Sequence, residues 1–535
     1  MTVLEPQDSA LTARRTEFDA LLARARAEAG RGRARTAAVF AQAAATYAWF
    51  NPIGLFASPE LETLLAELGA QVPERPLPAR QRSEPRTVLH VITKIYETGG
   101  STQALSGWIR TDVGRRHLVA VTRQGATALP HKITDVLADA ADLIRLDART
   151  DDLLRRAGRL RRVAARADVV VLHVHPDDVV PTIAFAPCAD VPVIYVDHAD
   201  HVFWVGASGA WLVMHMRHSG RLLAERRRGL PPGRSVVAPR PLRTVERTVP
   251  REQAKAQWGL SPADIVVVTA ADGSKYRAVG DEAELIELVL PVIQRHQRVH
   301  LLAAGPAAEG TWARAAGSTA GRVRALGRIP DTGLLMQAAD IYLDSYPFSS
   351  LTSLLEAGAV GAAVITYAGH PASCAVLGAD TPGVDEHVLR PADPEQLRAA
   401  LTRMIDDPAM RHAYGMRAAR AIADTHSPQR WRQEVDRLYS AAVAAGPAAP
   451  LGPPVDGVGR LDRLLPLIME QTGFVTGPGG VLRENLGLLP ARERLECAAE
   501  LRRLGETPAA RDLLPGMLRT RAARLKSLTT ARRRA

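Results

Sequence analysis

The chain has little cysteine, few aromatics, almost no lysine and no long apolar run, and each shortage narrows what it can be. Its three cysteines, Cys188, Cys374 and Cys497, stand far apart with no C-x-x-C spacing. That excludes a disulfide framework and a cysteine zinc site, and is expected of a reducing compartment. No run approaches 18 apolar residues, and the start MTVLEPQDSALTARR holds acids and lacks an apolar core. Neither a membrane-spanning helix nor a secretory signal is expected, so a soluble, cytoplasmic chain is. Lysine is nearly replaced by arginine: Lys94, Lys132, Lys255, Lys275 and Lys526 stand against 63 arginines (68 − 5), a skew that reads as genomic base composition. The net charge of +11 is concentrated at the end. Residues 518–535 carry seven basic residues and no acid, leaving +4 (11 − 7) for the rest. The excess therefore points to an acidic or peripheral inner-membrane contact by a tail, or to a solvated end, and not to a nucleic-acid-binding body.

What is present is a change of rhythm along 535 residues, enough for about three domains. Residues 1–80 read as Ala/Leu-rich helices with apolar positions three and four apart, a helical N-terminal domain suited to docking a partner. After a proline-bearing linker, residues 86–240 alternate short apolar runs with helical segments. Strands are expected at Val88–Thr93, Leu118–Val121, Leu143–Leu146, Asp168–Val174 and Val193–Val196. A Pro-rich stretch from Pro239 to Pro250 interrupts the pattern. It resumes over 251–445 with strands at Ile265–Thr269, Val299–Ala303, Val323–Leu326, Asp340–Leu343 and Ala363–Thr366. Val/Ile/Leu runs separated by helices predict parallel sheets covered on both faces, two doubly wound Rossmann-like units of the α/β class facing a cleft. A second linker, Gly446–Pro454, precedes a helical C-terminal piece, 455–535.

The most informative stretch is ADIYLDSYPFSSLTSLLEAGAVGAAVI, from Ala339 to Ile365. It reads strand, turn, helix, strand. Ser350, Thr352 and Ser353 fall at the start of the helix, where unpaired backbone N–H groups suit a phosphate. Glu356 lies one turn on, placed to accept hydrogen bonds from ribose hydroxyls. A capped helix with a first-turn glutamate would look the same. Elsewhere, Gly99-Gly100 at the end of the first strand permits close backbone approach before a helix N-terminus, or makes a plain tight turn. His173 and His175 alternate on one strand end beside Asp177 and Asp178. That spacing could bind a metal, but without a third ligand signalled in the sequence or a C-x-x-C nearby they read first as an acceptor-side cleft wall or as satisfied core histidines. The strand Val193–Val196 delivers Asp197, His198, Asp200 and His201 to its carboxyl end, with Phe203 and Trp204 following. That group can supply a base and donors to sugar hydroxyls, or can be a polar loop capping the next helix. The strand at Ile265 runs into Lys275, a rare lysine, with Arg277 two residues on. The basic run Arg226-Arg227-Arg228 reads as a solvated helix face.

Asp344, Pro347, Thr352 and Glu356, followed by Ala-Gly-x-x-Gly and an apolar strand, resemble the donor-binding segment of GT-B glycosyltransferases. The spacing is most similar to the O-linked N-acetylglucosamine transferase and SPINDLY group. It is more loosely similar to the large retaining family, whose first glutamate is replaced here by Phe348. The resemblance covers about 86–440. It implies transfer of a sugar from a UDP- or GDP-sugar to a hydroxyl-bearing acceptor, whether glycan, lipid-linked, natural product or protein, with no metal and no further cofactor. It implies that His198 meets the donor sugar, that Lys275 or Arg277 faces the leaving diphosphate, and that the Arg328-Ile329 turn cups the base. A nucleotide-sugar 2-epimerase shares the architecture, and an inactive scaffold would too. Sugar, base, acceptor and stereochemistry stay open.

Overall fold

The computed structural model describes residues 5–73, 85–97, 100–130, 134, 141–186, 190–242, 246–280, 282–378 and 380–523. Gly99, Cys188 and the tail from 524 lie outside them. Two all-parallel sheets form the frame. The first holds β1 (Thr87–Ile92), β2 (Arg116–Val121), β3 (Ala141–Arg145), β4 (Val169–His173), β5 (Val193–Asp197), β6 (Leu212–His215) and β7 (Ser235–Val237), in the order β3-β2-β1-β4-β5-β6-β7. The second holds β8 (Ile265–Ala270), β9 (Val299–Ala304), β10 (Val323–Ala325), β11 (Ile341–Leu343), β12 (Ala363–Ile365) and β13 (Val388–Leu389), ordered β10-β9-β8-β11-β12-β13. In both, the order reverses beside the first strand, which opens a crevice at the carboxyl ends where a doubly wound sheet takes its ligand. Every residue of β4, β5 and β11 is buried, as strands covered on both faces must be.

Ten of these strands coincide with the apolar runs of the sequence, and β6, β7 and β13 do not stand out there. β7 and β13 have three residues and two, too few to show a period, and β6 follows a turn that obscures its start.

The helical ends do not form cores of their own. Phe18, Phe40 and Tyr47 near the start, and Val481, Leu486 and Leu501 near the end, join one apolar cluster with Leu89, Leu118 and Val170 of the first sheet. The opposite face of that sheet is covered by a helix from far along the chain, Pro428–Ala445. Its Trp431, Val435, Leu438 and Tyr439 pack on Val88, Val171 and Ile194. The chain thus leaves the second unit at Ser427 and returns to the first, and the helix Arg460–Thr472 packs beside both. Its Leu461, Leu464 and Ile468 cluster with Phe56 and Leu223 on one side and with Val279 and Leu377 on the other.

In the second unit, helix Pro408–His426 lies so close to the turn before β12 that a Cβ built on Gly415 would run into the carbonyl oxygen of Gly361. Backbone cannot yield as a side-chain tip can. Gly415→Ala is therefore expected to cost about 1–3 kcal/mol, while Gly317→Ala, with open space around it in helix Gly310–Ser318, gains up to about 1 kcal/mol. Urea titration of both variants checks the contrast, and equal midpoints would contradict the packing.

Candidate active site

The second unit's contribution begins with Asp344, which follows β11 and is wholly buried. Its carboxylate accepts from the Ser345 N–H (2.9 Å), the Ser350 N–H (2.9 Å) and the Ser349 hydroxyl (2.5 Å). The turn Ser345–Ser350 is folded around this one group. Burial raises the Asp344 carboxyl above its ordinary value, and the Ser349 hydroxyl and Ser350 N–H oppose that. Helix Leu351–Ala359 follows, and its N-cap Ser350 donates no side-chain cap but pairs hydroxyl to hydroxyl with Ser353 (3.2 Å). Its first-turn N–H groups are thus left for water or an anion.

Lys275 enters from the turn after β8. Its ammonium donates to the Ser349 carbonyl (2.8 Å) and lies 4.2 Å from the centre of the Phe348 ring. Burial brings it down to about 8, against the pull of Asp344. Phe348, in the place where the resembling retaining family has a glutamate, also meets the His201 ring at 4.5 Å and so spans the gap between the units.

Arg240, in the proline-rich stretch between the two units, joins the group although no sequence motif marks it. Its guanidinium donates to the Thr352 hydroxyl (2.9 Å) of the second unit and to Gln103 Oε1 (3.0 Å) in helix Gly100–Thr111 of the first. Burial lowers it from its ordinary value, and the carboxylate of Glu356 works the other way. A cation thus sits over the first turn of helix Leu351–Ala359. Flanking prolines at 239 and 241 masked it, because they read as linker punctuation.

The first unit faces this with β5. Asp200 is held by Arg217 through both oxygens (2.9 Å each) and touches His201 Nδ1 at 3.5 Å. Burial opposes its charge, yet Arg217 and His201 hold the carboxyl well below the usual carboxylate range. An ionised, paired carboxylate is a weak base. Burial also lowers His201, against the pull of Asp200, and lowers His198 more strongly, which favours the neutral imidazole in both. His198 Nε2 lies 3.4 Å from His173 Nδ1. A second contact crosses the gap: Asp380 accepts from the His218 N–H (2.6 Å) at the start of helix His218–Arg227.

Not every predicted residue joins the group. Arg277 is exposed and donates to the Gln471 carbonyl (3.4 Å), away from Lys275. Arg328 is 87% exposed in an ion pair with Asp272, and Ile329 is half-buried against the edge of the second unit's core. Gly100 begins its helix within reach of Arg240, whose nearest nitrogen would lie 3.9 Å from an added Cβ. Arg226-Arg227-Arg228 is not a solvated face throughout. Arg227 pairs with Asp462 (2.8 Å), and Arg228 is buried, donating to the carbonyls of Asp200 and Val202. His175 stacks on Tyr96 and tilts against Trp49, and Asp177 pairs with Arg123 (2.8 Å). Among the described residues no group of His, Cys, Asp or Glu could hold a metal ion, and no helix is long and apolar enough to cross a membrane.

Comparison with known proteins fits this geometry. The family described as glycosyl transferases group 1 matches residues 278–407, which run from just past Lys275 through helix Pro394–Asp406. No curated protein matches the chain. Among solved structures, HepE from Anabaena in complex with UDP is 15% identical, covering 66% of this chain and 100% of its own at a TM-score of 0.50. A glycosyltransferase from Rickettsia africae is 11% identical, covering 67% and 99% at 0.51. An O-GlcNAc transferase variant from Thermobaculum terrenum is 16% identical, covering 82% and 86% at 0.46. The fold is GT-B, and its second unit carries the glycosyl transferases group 1 pattern.

Proposed function

We propose that the chain is a glycosyltransferase that moves a sugar from a nucleotide-diphosphate sugar, UDP- or GDP-linked, to a hydroxyl-bearing acceptor. The observation that carries this is the meeting of Lys275, Arg240 and the open first turn of helix Leu351–Ala359 at one gap, opposite His198 and His201. The solved relative with UDP bound has the same fold and supports the nucleotide class.

As the bond from the anomeric carbon to the diphosphate breaks, negative charge grows on the phosphate oxygen. Lys275 and the N–H groups at Thr352 and Ser353 meet that charge beside the Ser350 hydroxyl, with Arg240 behind Thr352. The part a metal would play is thereby filled, and transfer is expected to persist in chelator. Glu356 holds the ribose hydroxyls. Asp200, neutralised by Arg217, orients His201. The acceptor enters on the first unit's side, against His198 and His201.

Lys275→Ala and Glu356→Ala are expected to fail differently. Loss of Lys275 removes an interaction that strengthens in the transition state, so kcat falls by the equivalent of about 2–4 kcal/mol. Loss of Glu356 removes a contact made equally before and during reaction, so donor KM rises by about 1.5–3 kcal/mol with kcat kept. Steady-state kinetics with UDP- and GDP-sugars separates the two, and wild-type constants in both folded variants would put the donor site elsewhere.

The same lysine sets a pH limit. Its charged form attracts the diphosphate, and burial places the loss of that charge at about 8 in the free protein. Donor kcat/KM, which reports the free enzyme, is expected to fall as pH rises through about 8. Lys275→Arg, always charged, removes this alkaline limb; an unchanged limb in that variant would assign it to another group.

A further inference from the structure

Four histidines of the first unit lie in one unbroken row. His117 Nε2 is 3.0 Å from the Asp112 backbone carbonyl, and His117 Nδ1 is 3.1 Å from His90 Nε2. His90 Nδ1 is 3.2 Å from His173 Nε2, and His173 Nδ1 is 3.4 Å from His198 Nε2. The row is diagonal on the sheet. His117 on β2 stands opposite Val88 of β1, His90 opposite Val171 of β4, and His173 opposite Ile92 of β1. Each strand therefore carries its histidine two residues nearer the carboxyl edge than the last. Continuing the β4–β5 register, in which Leu172 faces Tyr195, puts His198 one step further, at the cleft.

The inner three rings are 0–2% exposed and lie under Trp108, whose ring meets His90 at 6.0 Å and His173 at 5.7 Å. Three imidazoles in an apolar core are costly unless each nitrogen is paired, and here each is. The direction of the row follows from its inner end. A carbonyl oxygen only accepts, so His117 carries its proton on Nε2 and leaves Nδ1 to accept from His90 Nε2–H. The same step repeats: His173 Nε2–H donates to His90 Nδ1, and His198 Nε2–H donates to His173 Nδ1. His198 is left with a bare Nδ1, which has no hydrogen-bond partner among the described residues, on a partly exposed ring.

We propose that this row is a proton relay serving the acceptor hydroxyl, an inference that rests on the glycosyl-transfer reading above. The acceptor oxygen bonds to the anomeric carbon as the bond from that carbon to the diphosphate breaks, and the hydroxyl proton goes to His198 Nδ1. His198 passes its Nε2 proton to His173 Nδ1, His173 to His90, and His90 to His117. His117 then holds both protons, with its Nε2 4.0 Å from the Asp112 carboxylate. Return along the same path releases the proton from His198 Nδ1 to water or the departing diphosphate, and no buried ring turns over.

The charges around the row fit that direction. Arg240 lies near the cleft end and disfavours a cation fixed on His198, as does burial. At the far end the carboxylate of Asp112 accepts from Tyr439 OH (2.8 Å) and pairs with Arg115, which in turn reaches Asp436 (2.7 Å). The relay thus makes a base of a histidine that would be a poor one alone, by carrying the charge to where a carboxylate waits.

His90→Gln tests this, because an amide keeps both hydrogen bonds in the same direction but does not hand a proton on. The variant is expected to melt near wild type and bind the donor normally. Its kcat should fall by about tenfold or more, and its proton inventory in mixed light and heavy water should change from curved to linear. A folded His90→Gln protein with wild-type kcat and a wild-type inventory would overturn the relay. Histidine-selective nitrogen-15 spectra of the wild-type protein read the tautomers without any substrate. All four rings should be Nε2–H, and a proton on Nδ1 of His90, His117 or His173 would overturn the proposal even if the variant did not fold. If no nucleotide sugar is turned over by the wild type, the function reading fails, while the spectra still decide the order of the row.

Discussion

The second unit's half of the cleft depends on one buried carboxylate. Asp344 takes two backbone N–H groups and a hydroxyl from the turn that follows it, and among the described residues no side-chain cation pairs with it. A desolvated acid of this kind is tolerable only if its acceptors are filled, so the turn has little freedom to adopt another shape. From that shape come the aim of the Ser349 carbonyl toward Lys275, the position of Phe348 between the units, and the direction in which helix Leu351–Ala359 starts. Glycine at 378, at a φ of 141°, belongs to the same device, because a Cβ there would collide with Ser349.

Much of this was legible in the sequence because it is local. Asp344, the hydroxyls and Glu356 lie within thirteen consecutive residues, 344–356, and strand-turn-helix punctuation is written in the same stretch. The parallel sheets were legible for a related reason, since strands buried on both faces appear as unbroken Val/Ile/Leu runs. What stayed hidden is what only the assembled sheet brings together. His90, His117, His173 and His198 come from four strands and span more than a hundred positions, and no period or spacing links them. Asp200 looked available as a base because Arg217, which occupies it, arrives from beyond the next strand. Arg240 was disguised by its prolines. The shared core of the two chain ends was illegible as well, because an amphipathic face shows that a helix needs a partner but not which one.

The two sides of the gap handle charge in opposite ways. On the second unit's side, positive groups are kept and only partly compensated: Lys275 rests on a carbonyl and a ring, and Arg240 on a hydroxyl and an amide oxygen. On the first unit's side, charge is cancelled or removed, with Asp200 paired to Arg217 and the histidines desolvated into neutrality. The gradient across the gap therefore runs from a charge-poor wall on the first unit to a cationic wall on the second. In a desolvated site such a gradient is worth far more than in water. For the transfer proposed above, such a gradient favours departure of an anion toward Lys275 and asks that the proton released on the other side not leave a cation stranded there. A neutral wall that can carry that proton inward satisfies both demands, which a lone ionised carboxylate beside Arg217 would not.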